Sequence, residues 1–164
     1  LPAALAVARE RVPGLRAVVT GRGPESAAAE RAAVDAGVTE SVDFVGRVSD
    51  EELERLLGEA AVLVNPSRRE GFGLVVAEAA AFGTPSVVVA GVDNAAAELV
   101  EDGVNGFVAA DVSAGSLGAA IVAALEGGEA LRADTAEWYA RERVERSLDR
   151  SVGELLERLG FGDS

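Results

Sequence analysis

Asn65-Pro66-Ser67-Arg68-Arg69-Glu70-Gly71-Phe72-Gly73-Leu74-Val75-Val76-Ala77-Glu78-Ala79-Ala80-Ala81-Phe82-Gly83-Thr84-Pro85 decides how the rest of the chain is read. It follows Ala61-Val62-Leu63-Val64, a short apolar run whose length and β-branched residues predict a buried strand. Pro66 and Ser67 end that strand. Gly71 and Gly73 predict a tight turn, and the apolar residues 74–82 predict a helix stopped by Gly83 and Pro85. Strand, glycine loop and helix in this order aim backbone N–H groups and the positive end of a helix dipole at one point. Such a point binds anions.

Two carboxylates frame it. Glu70 stands just before the glycines, and Glu78 lies inside the helix among valines and alanines. A carboxylate in apolar surroundings is costly unless something hydrogen-bonds it, and a sugar diol could do so. The arrangement therefore requires Glu78 to face a cleft rather than open solvent. A glycine loop alone is weak support, and a partly exposed helix glutamate beside an ordinary turn is the plainer alternative.

The composition narrows the chemistry. The 164 residues suffice for one domain with a proper core, and 49% of them are apolar. The longest uncharged apolar run, residues 117–125, is too short to cross a bilayer, and no signal-peptide pattern opens the chain. A cytoplasmic location follows as the expectation. There is no cysteine and no histidine, which removes disulfides, thiolate metal sites, Ser-His-Asp triads and the common zinc sites. No metal and no cofactor are expected. The Lys+Arg total of 15 is all arginine, so carboxylates are the available acids and bases. A net charge of −13 opposes nucleic acid and anionic membrane surfaces as partners. A chain that begins at Leu1 and lacks methionine reads as a piece of a longer polypeptide.

Taken in order, residues 2–11 predict a helix closed by Pro13-Gly14, 15–20 a strand, 26–36 a helix and 42–45 a strand. Ser49 predicts an N-cap, with Glu52 completing a capping box for a helix to about residue 60. After the central stretch, 86–90 predict a strand, 93–100 a short helix, 106–109 a strand and 116–125 a helix. Residues 131–164 form a charged, amphipathic tail of one or two helices, and residues 1–130 the main domain. Alternating strands and helices without a repeat predict an α/β, Rossmann-like parallel sheet with helices on both faces. The loops 21–24, 46–48, 65–73 and 91–95 all fall at the carboxyl ends of its strands, where such sheets bind ligands. Gly21-Arg22-Gly23-Pro24-Glu25-Ser26 lacks the third glycine of a dinucleotide fingerprint, which disfavours NAD.

The full pattern resembles the large family 4 of retaining nucleotide-sugar glycosyltransferases with the GT-B fold. It is carried by Pro66-Ser67, Glu70-Gly71-Phe72-Gly73-Leu74-Val75, Glu78-Ala79, Ala81, Gly83 and Pro85. Phe44-Val45-Gly46-Arg47-Val48, Glu52-Leu53 and residues 98–108 extend it over most of the chain. The resemblance implies the donor-binding, C-terminal half of such an enzyme, transferring sugar from a nucleotide-diphosphate-sugar such as a UDP-sugar to an acceptor. It implies roles too. Glu70, the catalytic carboxylate, with Gly71, Phe72 and Gly73, holds the transferred sugar. The N–H groups of Gly73, Leu74 and Val75 hold the diphosphate, Glu78 the ribose, and Arg47 with Val48 the base.

Three departures follow from the same resemblance. The family's first strand, with the arginine and lysine that grip the diphosphate, has no counterpart, and neither does the amino-terminal acceptor domain. The chain alone is expected to transfer nothing, and the gap in its sheet to be filled by a partner segment or by self-association. Asp93-Asn94-Ala95-Ala96-Ala97 stands where many relatives carry a glycine pair and a proline near the sugar. Two other readings compete. A glycoside hydrolase would need Glu70 and Glu78 facing each other across one cleft, against their placement before and inside one helix. A non-catalytic nucleotide-sugar-binding or interaction module would use the same loop, with the tail around Trp138 and Tyr139 as its surface; that tail is otherwise expected to pack toward the missing domain.

Overall fold

The computed structural model describes residues 1–145. The remainder of the tail lies outside them, as does the side chain of Glu145. The elements in order are α1 (Pro2–Arg11), β1 (Ala17–Thr20), α2 (Ser26–Asp35), a 3-10 turn (Thr39–Ser41), β2 (Val42–Gly46), α3 (Asp50–Glu59), β3 (Leu63–Asn65), β4 (Arg69–Glu70), α4 (Leu74–Ala81), β5 (Ser86–Val89), β6 (Asp93–Asn94), α5 (Ala95–Glu98), β7 (Gly106–Ala109) and α6 (Ala114–Glu145). Every strand pair among the described residues is parallel, and the helices between the strands supply the crossovers that parallel neighbours need.

The strands do not form one continuous sheet. β1 pairs with β2, β3–β5–β7 form a three-stranded ladder, and β4 pairs with β6. Among the described residues β1 and β3 each keep one edge without a ladder partner. Helix α1 spans the seam between them. Its Ala4 and Ala8 pack into the cluster with Val87, Val89 and Ala109, while Leu5 packs with Val38 and Val42 over β2. Leu15 touches both clusters, so the two ladders lie side by side beneath one helix.

β5 is central, and all four of its residues are buried. A strand covered on both faces needs an unbroken apolar run, which Val87-Val88-Val89 provides. Helix α1 also packs closely on α6, and Gly118 permits it: a Cβ there would lie 2.8 Å from Val7 Cγ1 and 3.0 Å from the Ala4 carbonyl oxygen. Pro2 starts α1, where the missing N–H has no intrahelical acceptor to lose.

Helix α3 shows one half of the expected capping box. The Ser49 hydroxyl accepts from Glu52 N–H, but the Glu52 carboxylate turns forward to Arg55. That ion pair holds the Glu52 carboxyl below the usual carboxylate range, the Arg55 hydrogen bond being the main cause.

Arg132 ties the carboxyl ends of two helices together. Its guanidinium donates to the carbonyls of Ala60, Gly58 and Phe82 at 2.7–3.2 Å, satisfying helix-end acceptors that would otherwise face solvent or one another.

Two expected elements differ. The 93–100 stretch is not one helix: Asp93–Asn94 pair with Arg69–Glu70 as strands, leaving only Ala95–Glu98 helical. The 116–125 and 131-onward helices are joined in α6, whose turn is broken at Gly128 (φ 52°, ψ −140°). Trp138, expected in a tail turned toward another domain, is buried in this one, and its indole N–H donates to Glu101 at 3.0 Å.

Candidate functional site

The loops at 21–24, 46–48, 65–73 and 91–95 follow β1, β2, β3 and β5 and stand at the carboxyl ends of those strands. The most tightly built contact among them joins 65–73 to 91–99. β4 and β6 pair Glu70 with Asn94. Gly91 lies so close to the first loop that a Cβ would sit 2.5 Å from the Arg68 carbonyl oxygen. At Gly73 a Cβ would sit 2.8 Å from Leu99 Cδ1 and 2.9 Å from Ala96 Cα.

Gly73 is the N-cap of α4 and adopts the left-handed conformation (φ 65°, ψ 24°), which glycine enters without a Cβ penalty. No side chain among the described residues caps this helix. The N–H groups of Gly73, Leu74 and Val75 donate to no acceptor among the described residues; the first turn-closing bond is Val76 N–H to the Gly73 carbonyl, 2.9 Å. Three adjacent donors with a helix dipole behind them are the geometry that favours an anion.

Glu70 is half-buried, and Gly71 and Phe72 are exposed, the Phe72 ring 80% so. Arg47 is exposed and Val48 half-buried, immediately before α3. Glu78 departs from expectation. It is exposed, so burial does not oblige it to find a hydrogen-bond partner. The alanines and valines beside it in sequence face elsewhere: Val76, Ala79 and Ala80 are buried in the core, while Leu74, Ala77, Glu78 and Ala81 share an outer face. That face forms one wall of an open groove of about 360 Å³, opposite Asp50, Leu53, Glu54 and Leu57 of α3, with Phe82 and Tyr139 also lining it.

Glu78 thus borders a groove, although it is not enclosed by one. The groove reaches the helix start at Leu74 but is not lined by Glu70, Gly71 or Phe72. Its charged lining is acidic, so it suits hydrogen-bond donors, not phosphates.

Two further residues gain importance only in three dimensions. Arg22 lies over the 46–48 loop: its Nε is 3.0 Å from where a Gly46 Cβ would stand, and Gly21 N–H donates to the Gly46 carbonyl. Asn94 is buried between the two principal loops. Its only sequence signal is an Asn among alanines. Arg68 and Arg69 are both exposed, and Arg69 Nε stands 4.0 Å from Asp93.

An α/β domain with parallel strands, whose strand-end loops present an uncapped helix start, has the layout on which such sheets commonly place phosphorylated ligands. Comparison with known proteins narrows the class. Residues 2–143 match the family described as glycosyl transferases group 1, and the chain belongs to that family.

It is 35% identical over 166 aligned residues to the D-inositol 3-phosphate glycosyltransferase of Salinispora arenicola, an alignment covering 96% of this chain and 36% of that protein. It is 39% identical over 112 residues to the GDP-mannose-dependent alpha-(1-6)-phosphatidylinositol monomannoside mannosyltransferase of Mycolicibacterium smegmatis, covering 64% of this chain and 29% of that one. The chain therefore spans about a third of the length of these curated relatives.

Among solved structures, S. aureus TarM superposes with a TM-score of 0.79 at 17% identity, over 99% of this chain and 32% of that one. Anabaena HepE, solved in complex with UDP, superposes with a TM-score of 0.75 at 23% identity, over 97% of this chain and 44% of that one. These likenesses establish the fold that the sequence predicted. No helix among the described residues is long and apolar enough to cross a membrane.

Proposed function

We propose that this chain is the donor-binding half of a retaining family 4 glycosyltransferase, and that its strand-end site takes a nucleotide-diphosphate-sugar. The observation that carries the reading is the uncapped start of α4, with three N–H donors beside Glu70 and a groove bordered by Glu78. The donors of Gly73, Leu74 and Val75 take the diphosphate. Glu78 accepts from the two ribose hydroxyls in the groove, whose acidic lining suits donors. Arg47 and Val48 face the base, and Arg22 adds a cation beside them. Glu70, with Gly71, Phe72 and Gly73, holds the sugar.

In the reaction, the bond from the anomeric carbon to the diphosphate oxygen breaks and a bond to the acceptor oxygen forms on the same face. The acceptor proton passes to the leaving diphosphate. No protein nucleophile is needed, and the helix start stabilises the charge that develops on the leaving group. No metal is required for that neutralisation. The acceptor side of the cleft comes from a second domain, and the seam between β1 and β3 receives a strand from accompanying polypeptide or a second copy.

The chain should bind UDP or GDP, and Glu78→Ala should weaken that binding about 10–100-fold, the loss of two hydrogen bonds to an ionised acceptor in a partly solvated site. The 2′-deoxy diphosphate should lose part of this sensitivity, because it already lacks one of the two donors. Titration calorimetry on the two proteins decides it: equal affinity for the ribose form before and after substitution rejects the assignment of Glu78. The chain alone should show no transfer from UDP-glucose or GDP-mannose to water or to an acceptor. Measurable turnover by the purified chain would show that the second domain is dispensable.

A further inference from the structure

The loop that carries Glu70 is held partly by its own residues and partly by its neighbour. Its first residues are tied locally: Asn65 Oδ1 accepts from Ser67 N–H at 3.1 Å, and the Ser67 hydroxyl donates to the Arg69 carbonyl at 2.6 Å. From Ser67 to Glu70 the other loop adds further support. Asn94 is only 3% exposed, and its Nδ2 donates to the Ser67 carbonyl at 2.9 Å and to the Val89 carbonyl at 2.7 Å. One amide group therefore joins the exit of β3 to the last residue of β5. Through the β4–β6 pairing Asn94 also sits directly opposite Glu70.

The chemistry of the position is narrow. Two carbonyls converge on one small group, which must offer two donors without a charge. An aspartate would set an anion against both oxygens, and a serine would serve only one of them. The remaining Oδ1 is buried with no partner among the described residues, so the side chain is committed to the framework, and no polar atom of it is presented to solvent. Gly91, with no room for a Cβ against the Arg68 carbonyl and the Asn94 Cβ, closes the same contact from the other side.

We propose that Asn94 is a positioning residue that sets Glu70 and the 70–72 turn, and so governs how the site holds the sugar separately from how it holds the nucleotide. The proposal rests on the reading of 70–73 as the sugar-holding loop. Asn94 donates only to the Ser67 and Val89 carbonyls, not to Leu74, Val75, Glu78, Arg47 or Val48 of the nucleotide set, whereas the sugar contact Glu70 lies on the strand it pairs with.

The test is calorimetry on the chain and on Asn94→Ala and Asn94→Ser, with UDP, GDP, UDP-glucose and GDP-mannose as probes. For whichever base the wild-type chain accepts, the ratio of donor Kd to diphosphate Kd should rise about tenfold in Asn94→Ala. It should rise less in Asn94→Ser, which keeps one donor, and diphosphate affinity should stay within about twofold. An unchanged ratio overturns the proposal, whether both affinities hold or both fall together. Where Asn94→Ala fails to fold, Asn94→Ser carries the same test. If the wild-type chain binds none of the four probes, the functional reading fails, and hydrogen exchange judges the clamp alone. Faster exchange across 67–73 in Asn94→Ser, with 74–81 unchanged, supports it. Identical exchange in the two proteins overturns it.

Discussion

Gly106→Ala is expected to unfold the domain. Gly106 opens β7 opposite Ser86, the first residue of the central strand, and a Cβ there would lie 1.8 Å from the Ser86 carbonyl oxygen. The carbonyl carbon and the amide nitrogen of Ser86 would also be within 2.9 Å. All three are backbone atoms of a strand buried along its length, so no side chain can swing aside. The preceding residue cannot yield either. Asn105 is buried, its Oδ1 accepts from Glu101 N–H at 2.7 Å, its Nδ2 donates to the Leu99 carbonyl at 2.8 Å, and its own carbonyl takes the Ser86 N–H. Separating β7 from β5 would open the cluster built on Val87, Val89 and Ala109. The penalty should exceed about 4 kcal/mol, against a total stability of roughly 5–15 kcal/mol for a domain of this size. Urea unfolding followed by circular dichroism measures it. A cooperative transition with a midpoint close to the wild-type value would mean that the strands can separate without loss.

The alternation of apolar strands and helices made the fold legible, and turn chemistry placed most boundaries within two residues. α1, α3 and β7 illustrate this: Pro2, Ser49 and the Asn105-Gly106 pair each mark an element start by local sterics or hydrogen bonding. Alternation alone implies parallel strands; the break between β1 and β3 is legible only through the resemblance, as the gap left by a missing first strand. Two features were not legible, each decided by residues that are not adjacent in sequence. Asp93 and Asn94 precede a run of alanines that favours helix, yet pairing with Arg69 and Glu70 overrides local propensity. The residues beside Glu78 in sequence are apolar and give no sign of polar surroundings. On a helix the neighbours in space are three and four positions away, and those face a groove.

The same distinction applies to the residues that hold the site together. The glycines and glutamates of the 65–85 stretch stand out in the sequence because turn and charge are local properties. Asn94, Arg22 and Arg132 do not. Each acts on backbone carbonyls or loops more than 20 residues away, for which composition and spacing carry no signal. Carbonyl ends of strands and helices are where such residues are needed, because ladder and helix bonds run out there.

Gly71 and Gly73 look equivalent in sequence, and substitution should separate them. Gly73→Ala should lower UDP or GDP affinity by about 100-fold or more, while Gly71→Ala should leave both the fold and diphosphate binding within about threefold. At Gly73 two effects add. An alanine held at φ 65° is disfavoured by roughly 1–2 kcal/mol. Its Cβ would also meet Ala96 Cα at 2.9 Å and Leu99 Cδ1 at 2.8 Å; the leucine tip can rotate away, but the Ala96 backbone belongs to α5 and cannot. Relief has to come from the loop, which turns the N–H groups of Gly73, Leu74 and Val75 away from their common focus. A Cβ on Gly71 meets nothing within 4 Å, and its φ is not positive. Thermal unfolding of both variants separates loss of fold from loss of site, and calorimetry with UDP and GDP reads the site itself. Equal loss of diphosphate binding in the two variants, with both folded, would place the phosphate against Gly71 and move the anion site off the start of α4. A Gly73→Ala protein that binds as the wild type does would remove the helix start from the reading altogether.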